Sequence, residues 1–103
     1  MKEKFFDFEV FPNWWCCVFG DYPEDGELTE EIKETFRVVD SDSRTSRDEL
    51  MSELRVEGYV NMGYNIKGYD LIIANGVYQG FTPRQLKILN DIIIDPSISY
   101  STS

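Results

Sequence analysis

Three acidic residues stand where their type and spacing permit chemistry. Asp7 and Glu9 lie in "KFFDFEVF", residues 4–11, an aromatic and aliphatic run that reads as a strand. Side chains alternate across a strand, so Phe6, Phe8 and Val10 share one face while Phe5, Asp7, Glu9 and Phe11 share the other. Two carboxylates pointing the same way raise each other's cost of ionisation unless something positive sits between them, and a divalent cation is the simplest candidate. The third acid, Asp70, ends "NIKGYD", residues 65–70, at the junction where a strand gives way to a helix. In open α/β sheets, polar groups at the carboxyl ends of strands are where sites form. If the strand before Asp70 packs beside the first strand, the three carboxylates meet and can hold two Mg2+ or Mn2+ ions, which prefer oxygen ligands. Such a pair of ions, about 3.5–4 Å apart, activates a water and stabilises the departing oxygen in phosphodiester hydrolysis. Plainer roles compete with this one. Alternating acids also mark a strand with one solvated face, and an aspartate at a helix start is commonly an N-cap.

The composition narrows the chemistry. The chain has 103 residues, enough for one domain with a modest core, and 42% hydrophobic content with 15% aromatics argues for a folded protein. It has no histidine, which removes Ser/His/Asp and Cys/His nucleophilic catalysis and the common zinc sites. Its formal charge of −9 repels nucleic acid at long range, so binding DNA would need metal ions or a basic companion. Cys16 and Cys17 are adjacent inside "WWCCVF" and read as small, reduced core residues, in keeping with a cytoplasmic location. The charged start "MKEKFFDFE" shows no secretory signal, and no run approaches the roughly 20 apolar residues of a membrane helix.

The elements that must position the acids are set by periodicity and punctuation. "PN" at 12 and 13 turns the first strand into a second, "WWCCVFG", giving an antiparallel hairpin in which at least one of Trp14 and Trp15 is core. An acidic loop, "DYPEDGELTEE", leads to a third strand over residues 34–40. Ser46 with Glu49 forms an S-x-x-E capping box opening a helix with Leu50, Met51 and Leu54 on its apolar stripe and Gly58 at its end. A fourth strand spans 59–65. A helix then runs from about Asp70 to Gln79, weakened by Gly76 and stopped by Gly80. Thr82, Pro83 and Gln85 cap a further helix carrying Leu86, Ile88 and Leu89, and "IIID" is a possible fifth strand. The order β-β-β-α-β-α-α describes an α/β domain, a mixed sheet with helices packed on it over residues 1–95, and a polar tail over 96–103.

Two motifs in order carry a resemblance. "FDFEVF" resembles the D-x-E first motif of the DEDD exonuclease superfamily, and "NIKGYD" resembles its second motif, N-x-x-x-(F/Y)-D, as found in phage-type family B DNA polymerases. "LNDIII" is similar to the segment downstream of that second motif in phage relatives, so the likeness covers residues 4 to about 95. It implies the N-terminal part of a 3′-to-5′ proofreading domain of RNase H-like fold, truncated, from a phage protein acting in the bacterial host's cytoplasm. Asp7, Glu9 and Asp70 would be the catalytic carboxylates that ligate Mg2+ or Mn2+. Asn65 and Tyr69 would place the 3′ end of single-stranded DNA, and Phe8 would be core support. The family's third motif, Y-x-x-x-D, is missing: Tyr22 and Tyr59 are not followed by aspartate at the fourth position, nor are Tyr64, Tyr69 or Tyr78. The expectation is a truncated or repurposed module that is inactive alone. Its bare sheet edge would invite self-association or a protein cap. A reading of another class stands beside it. The acidic stretch 21–34 can imitate a phosphate backbone, as in DNA-mimicking phage inhibitors of the anti-CRISPR kind, and bind a basic nuclease or polymerase without catalysis.

Overall fold

The computed structural model describes residues 2–22, 37–55, 59–62 and 66–97. Strand β1, Lys2–Phe11, turns at Pro12 and Asn13 into β2, Trp14–Tyr22. The hairpin is in uninterrupted register from Glu3 opposite Tyr22 to Phe11 opposite Trp14. Strand β3, Arg37–Asp40, pairs antiparallel with β2, and β4, Tyr59–Met62, pairs parallel with Lys2–Phe5 of β1. The sheet order is β3-β2-β1-β4, so the strand that carries the D-x-E pair lies inside the sheet. Beyond Phe5, β1 has no strand on its β4 side among the described residues.

All three described helices contribute to one core on one face of this sheet. Helix α1, Ser46–Leu54, supplies Leu50; α2, Leu71–Tyr78, supplies Ile73, Ala74 and Val77; α3, Pro83–Ile94, supplies Leu86. They meet Phe6, Phe8 and Val10 of β1 and Trp15, Cys17 and Phe19 of β2. Phe6 stacks on Phe19 with ring centroids 6.0 Å apart and meets Phe8 edge-on, so the core is built on an aromatic ladder. The expected alternation holds: Phe6, Phe8 and Val10 are buried, while Asp7, Glu9 and Phe11 are exposed.

Local signals succeed where they are self-contained. Thr82 forms the full reciprocal cap with Gln85, its hydroxyl accepting from the Gln85 amide at 3.2 Å while the Gln85 side chain accepts from the Thr82 amide at 2.9 Å. Gly80 adopts a left-handed φ of 89°, which lets the Phe81 amide return to the Gly76 carbonyl and end α2. Two expectations are corrected. Ser46 begins α1 rather than capping it; Thr45 occupies the N-cap, and its hydroxyl donates to the Glu49 carboxylate at 3.1 Å. Ser43 and Thr45 are already tied in a turn, with the Thr45 amide donating to the Ser43 hydroxyl, and this sets the boundary one residue earlier. "IIID" is the last turn of α3, not a strand, because Leu86, Leu89, Asn90 and Ile93 continue one helical stripe against the core. Residues 34–36 of the expected third strand, 63–65 of the fourth, Gly58 and most of the acidic loop lie outside the described residues. No described helix is long and apolar enough to cross a membrane.

Candidate functional site

The site begins at the middle of β1. Alternation aims Asp7 and Glu9 away from the core, and both are exposed. The face they share is open rather than half-buried. Across it, Asp7 lies opposite Val18, and Glu9 lies in a row with Cys16 of β2 and Asp40 of β3. Both cysteines are free and buried. Burial, and then the charges of Glu9 and Asp40, push the Cys16 thiol up. Burial and then Asp70 and Asp7 push Cys17 up further still. Neither is a thiolate at neutral pH, so nucleophilic thiol chemistry is absent from this pair.

Asp70 is reached from the other direction. After β4, a single π-helical turn, Ile66–Asp70, runs without a break into α2. Asp70 therefore has helical dihedrals, φ −60° and ψ −43°, and makes no side-chain cap, which corrects the N-cap expectation. Helix spacing of i, i+3, i+4 and i+7 puts it on one stripe with Ile73, Ala74 and Val77, and it is buried, at 3% exposure. Asp7 and Glu9 belong to the open face, whereas Asp70 belongs to the helix side. Among the described residues, no three His, Cys, Asp or Glu side chains are gathered closely enough to hold a metal ion. The donors have the hard oxygen chemistry that Mg2+ or Mn2+ requires, but their placement does not form its cage.

What links the two sides is Tyr69. Its hydroxyl donates to the Asn90 side-chain oxygen, the Asn90 amide donates to Asp91 at 3.2 Å, and Lys87 pairs with Asp91 at 3.0 Å. Burial pushes the phenol up to about 12, with Asp70, Asp7, Glu9 and Asp91 adding in that order. Tyr69 is thus a fixed, protonated donor within electrostatic reach of every acid in question. Asn65, the other residue expected to bind a DNA end, lies outside the described residues. Asn90 is a functional candidate that the motifs do not mark, although the sequence carries a signal for it: it is a polar residue on the buried stripe of α3, 6% exposed, four positions from Leu86.

The sign of the tyrosine shift has a measurable consequence. The folded state favours the neutral phenol, so Tyr69 contributes stability that is fully present below its ordinary value of 10 and is lost as the pH rises through about 12. In absorbance titrations at 295 nm, wild type minus Tyr69→Phe is expected to give a transition near pH 12. A midpoint near 10 would show that the phenol is not held in this environment. Compared with known proteins, the chain matches no family model, no curated protein and no solved structure.

Proposed function

We propose that this chain is a 3′-to-5′ exonuclease module of the phage-type polymerase kind, RNase H-like in fold, repurposed or partial, with metal-dependent phosphodiester hydrolysis as the chemistry of its parent enzyme. The observation that carries the reading is topological. The D-x-E pair sits on β1 just beyond Lys2–Phe5, the segment that pairs with the parallel strand β4, and the next described element after β4 is the π-helical turn that carries Tyr69 and Asp70. The two motifs are far apart in sequence, and the parallel pairing of β4 with the start of β1 supports reading them as parts of one module. The shared influence of Asp70, Asp7 and Glu9 on the Tyr69 phenol supports the same reading.

The chain alone is not expected to cleave DNA, because the acids are not gathered around a common point and the third motif is absent from the sequence. Residual ion affinity is the direct test of lineage. Titrating Mn2+ into 15N-labelled protein is expected to broaden amide signals around Asp7 and Glu9 first, and Asp7→Ala with Glu9→Ala is expected to abolish that broadening. Broadening that ignores these substitutions, or that centres elsewhere, would sink the reading. A 3′-labelled single-stranded DNA incubated with Mn2+ and the chain is expected to release no nucleotide.

One observation favours the second reading, a non-catalytic acidic binder of a basic nuclease or polymerase. Asp21 is engaged with Arg37 at 3.3 Å, and the rest of the acidic stretch lies outside the described residues, but the open sheet face is itself acidic.

A further inference from the structure

Charge is sorted across the sheet. Of the described side chains on the strands, the cations Lys4 and Arg37 both fall on the helix side, where Glu53 of α1 takes them at 3.5 and 2.9 Å. The open face receives Glu3, Asp7, Glu9 and Asp40 and, among the described residues, no cation. Between the acids of β1 and Asp40 of β3 lie Cys16 and Val18 of β2, and further apolar groups adjoin that row. Phe11, 46% exposed, stacks on Trp14 with ring centroids 5.9 Å apart, and Val38, 59% exposed, lies beside Val18. An apolar floor bounded by one sign of charge is a recognition surface in its ordinary form: the floor gives affinity, and the charges choose the partner.

We infer that the open face of the sheet docks a basic amphipathic helix of a partner polypeptide. The dimensions fit one helix. A strand of ten residues is about 33 Å long at about 3.3 Å per residue, β1 and β2 run that length side by side, and where the four residues of β3 join them the floor is about 10 Å wide. A helix is about 10 Å across; about 22 residues of it cover that length, and 18 cover about 27 Å. The charge complementarity sets the sign: lysines or arginines flanking the apolar stripe of the incoming helix meet Asp7 and Glu9 along one side and Asp40 along the other. Single-stranded DNA would stack on Phe11 and Trp14 but would bring phosphates against the same carboxylates, so polypeptide is the occupant the face selects. A second copy of this chain would meet acid with acid. The inference goes beyond the nuclease lineage and needs no metal ion, so its test is run in EDTA, where that lineage plays no part.

The probe is an 18-residue helical peptide of leucine and lysine with period 3.6, with the leucine and glutamate version as control. Added to 15N-labelled protein, the lysine peptide is expected to shift amides of Glu3–Phe11, Trp14–Val18 and Arg37–Asp40, and to bind more weakly as salt rises. The glutamate peptide is expected not to bind. Asp7→Lys with Glu9→Lys, both exposed and so compatible with folding, is expected to weaken binding at least about tenfold. Asp48→Lys with Glu49→Lys, exposed on α1, is expected to leave it within about twofold. Equal loss from both pairs would mean unspecific attraction by net charge and would overturn the inference. So would shifts confined to the helices, no binding at all, binding of an oligothymidine across the same strands, or dimerisation through this face in sedimentation.

Discussion

Replacing Glu53 with alanine is expected to lower the unfolding free energy by about 3 kcal/mol, a large share of the roughly 5–15 kcal/mol typical of a folded domain. Lys4 lies on the core face of β1 at 1% exposure. Its ammonium pairs with the Glu53 carboxylate at 3.5 Å, donates to the Glu53 backbone carbonyl, and stands 5.6 Å from the centre of the Phe19 ring. The same carboxylate accepts from Arg37 at 2.9 Å, and Arg37 reaches on to Asp21. One side chain on α1 thus neutralises charge from β1 and β3 together. Desolvating an ammonium costs several kcal/mol, and its carboxylate partner offsets that cost; removing the partner leaves the cost standing. Glu53 keeps 22% exposure, so water softens the loss and holds it near the lower end of the 3–5 kcal/mol range typical of broken buried pairs. The melting temperature is expected to fall by more than about 10 °C. Lys4→Met tests the cause. It removes the buried charge and leaves apolar bulk against Phe19, so Lys4→Met with Glu53→Ala is expected to be more stable than Glu53→Ala alone in urea titrations. Simple additivity of the two would show that the ion pair is not the source.

These residues also show what a sequence conveys and what it withholds. The faces of β1 are legible, because a period of two in "KFFDFEVF" needs only the strand itself to be interpreted. The cap at Thr82 is legible for the same reason, since Thr82, Pro83 and Gln85 satisfy one another within a single turn. Lys4 belongs to the same alternation, yet its role is hidden; a lysine at the start of a strand is usually solvated, and its burial depends on Glu53, 49 positions away. The parallel pairing of β4 with Lys2–Phe5 is likewise non-local, and the position of Asp70 depends on it. The motif spacing puts Asp70 after the fourth strand and at the head of α2, but spacing cannot say which way a residue there turns. That is decided by the π-helical turn, which continues α2 backward and rotates Asp70 onto the stripe of Ile73 and Ala74. The alternation of the acids by itself requires no more than one wet side of a sheet; what ties them to Asp70 is their shared effect on the Tyr69 phenol.

Gly76, a weak point in its helix by propensity alone, is better understood as a contact. A Cβ built there would lie 2.7 Å from Leu86 Cδ2 and 3.2 Å from Phe81 Cδ2, with Leu89 Cδ2 at 3.6 Å. Leu86 is fully buried, so it has nowhere to retreat, and α2 and α3 can approach this closely only because residue 76 has no side chain. Gly76→Ala gains up to about 1 kcal/mol of helix propensity and spends it on moving Leu86, so a small net loss is expected. Gly76→Val adds two more carbons at the tightest point and forgoes most of the propensity gain, so about 3 kcal/mol of destabilisation is expected. The damage has a signature beyond stability. Asn90 lies four residues along α3 from Leu86, and Tyr69 is carried by the turn that heads α2, so forcing the two helices apart stretches the Tyr69–Asn90 hydrogen bond. In Gly76→Val, water admitted between the separated helices relieves the burial that raises the Tyr69 phenol, which is expected to titrate below about 12 and nearer to 10. Adding Leu86→Ala to Gly76→Val makes room at the contact, and the pair is expected to cost less than the sum of the two single changes. A Gly76→Val protein with wild-type stability and an unmoved Tyr69 titration would show that the helices do not meet at this glycine, and Tyr69 would then need another anchor.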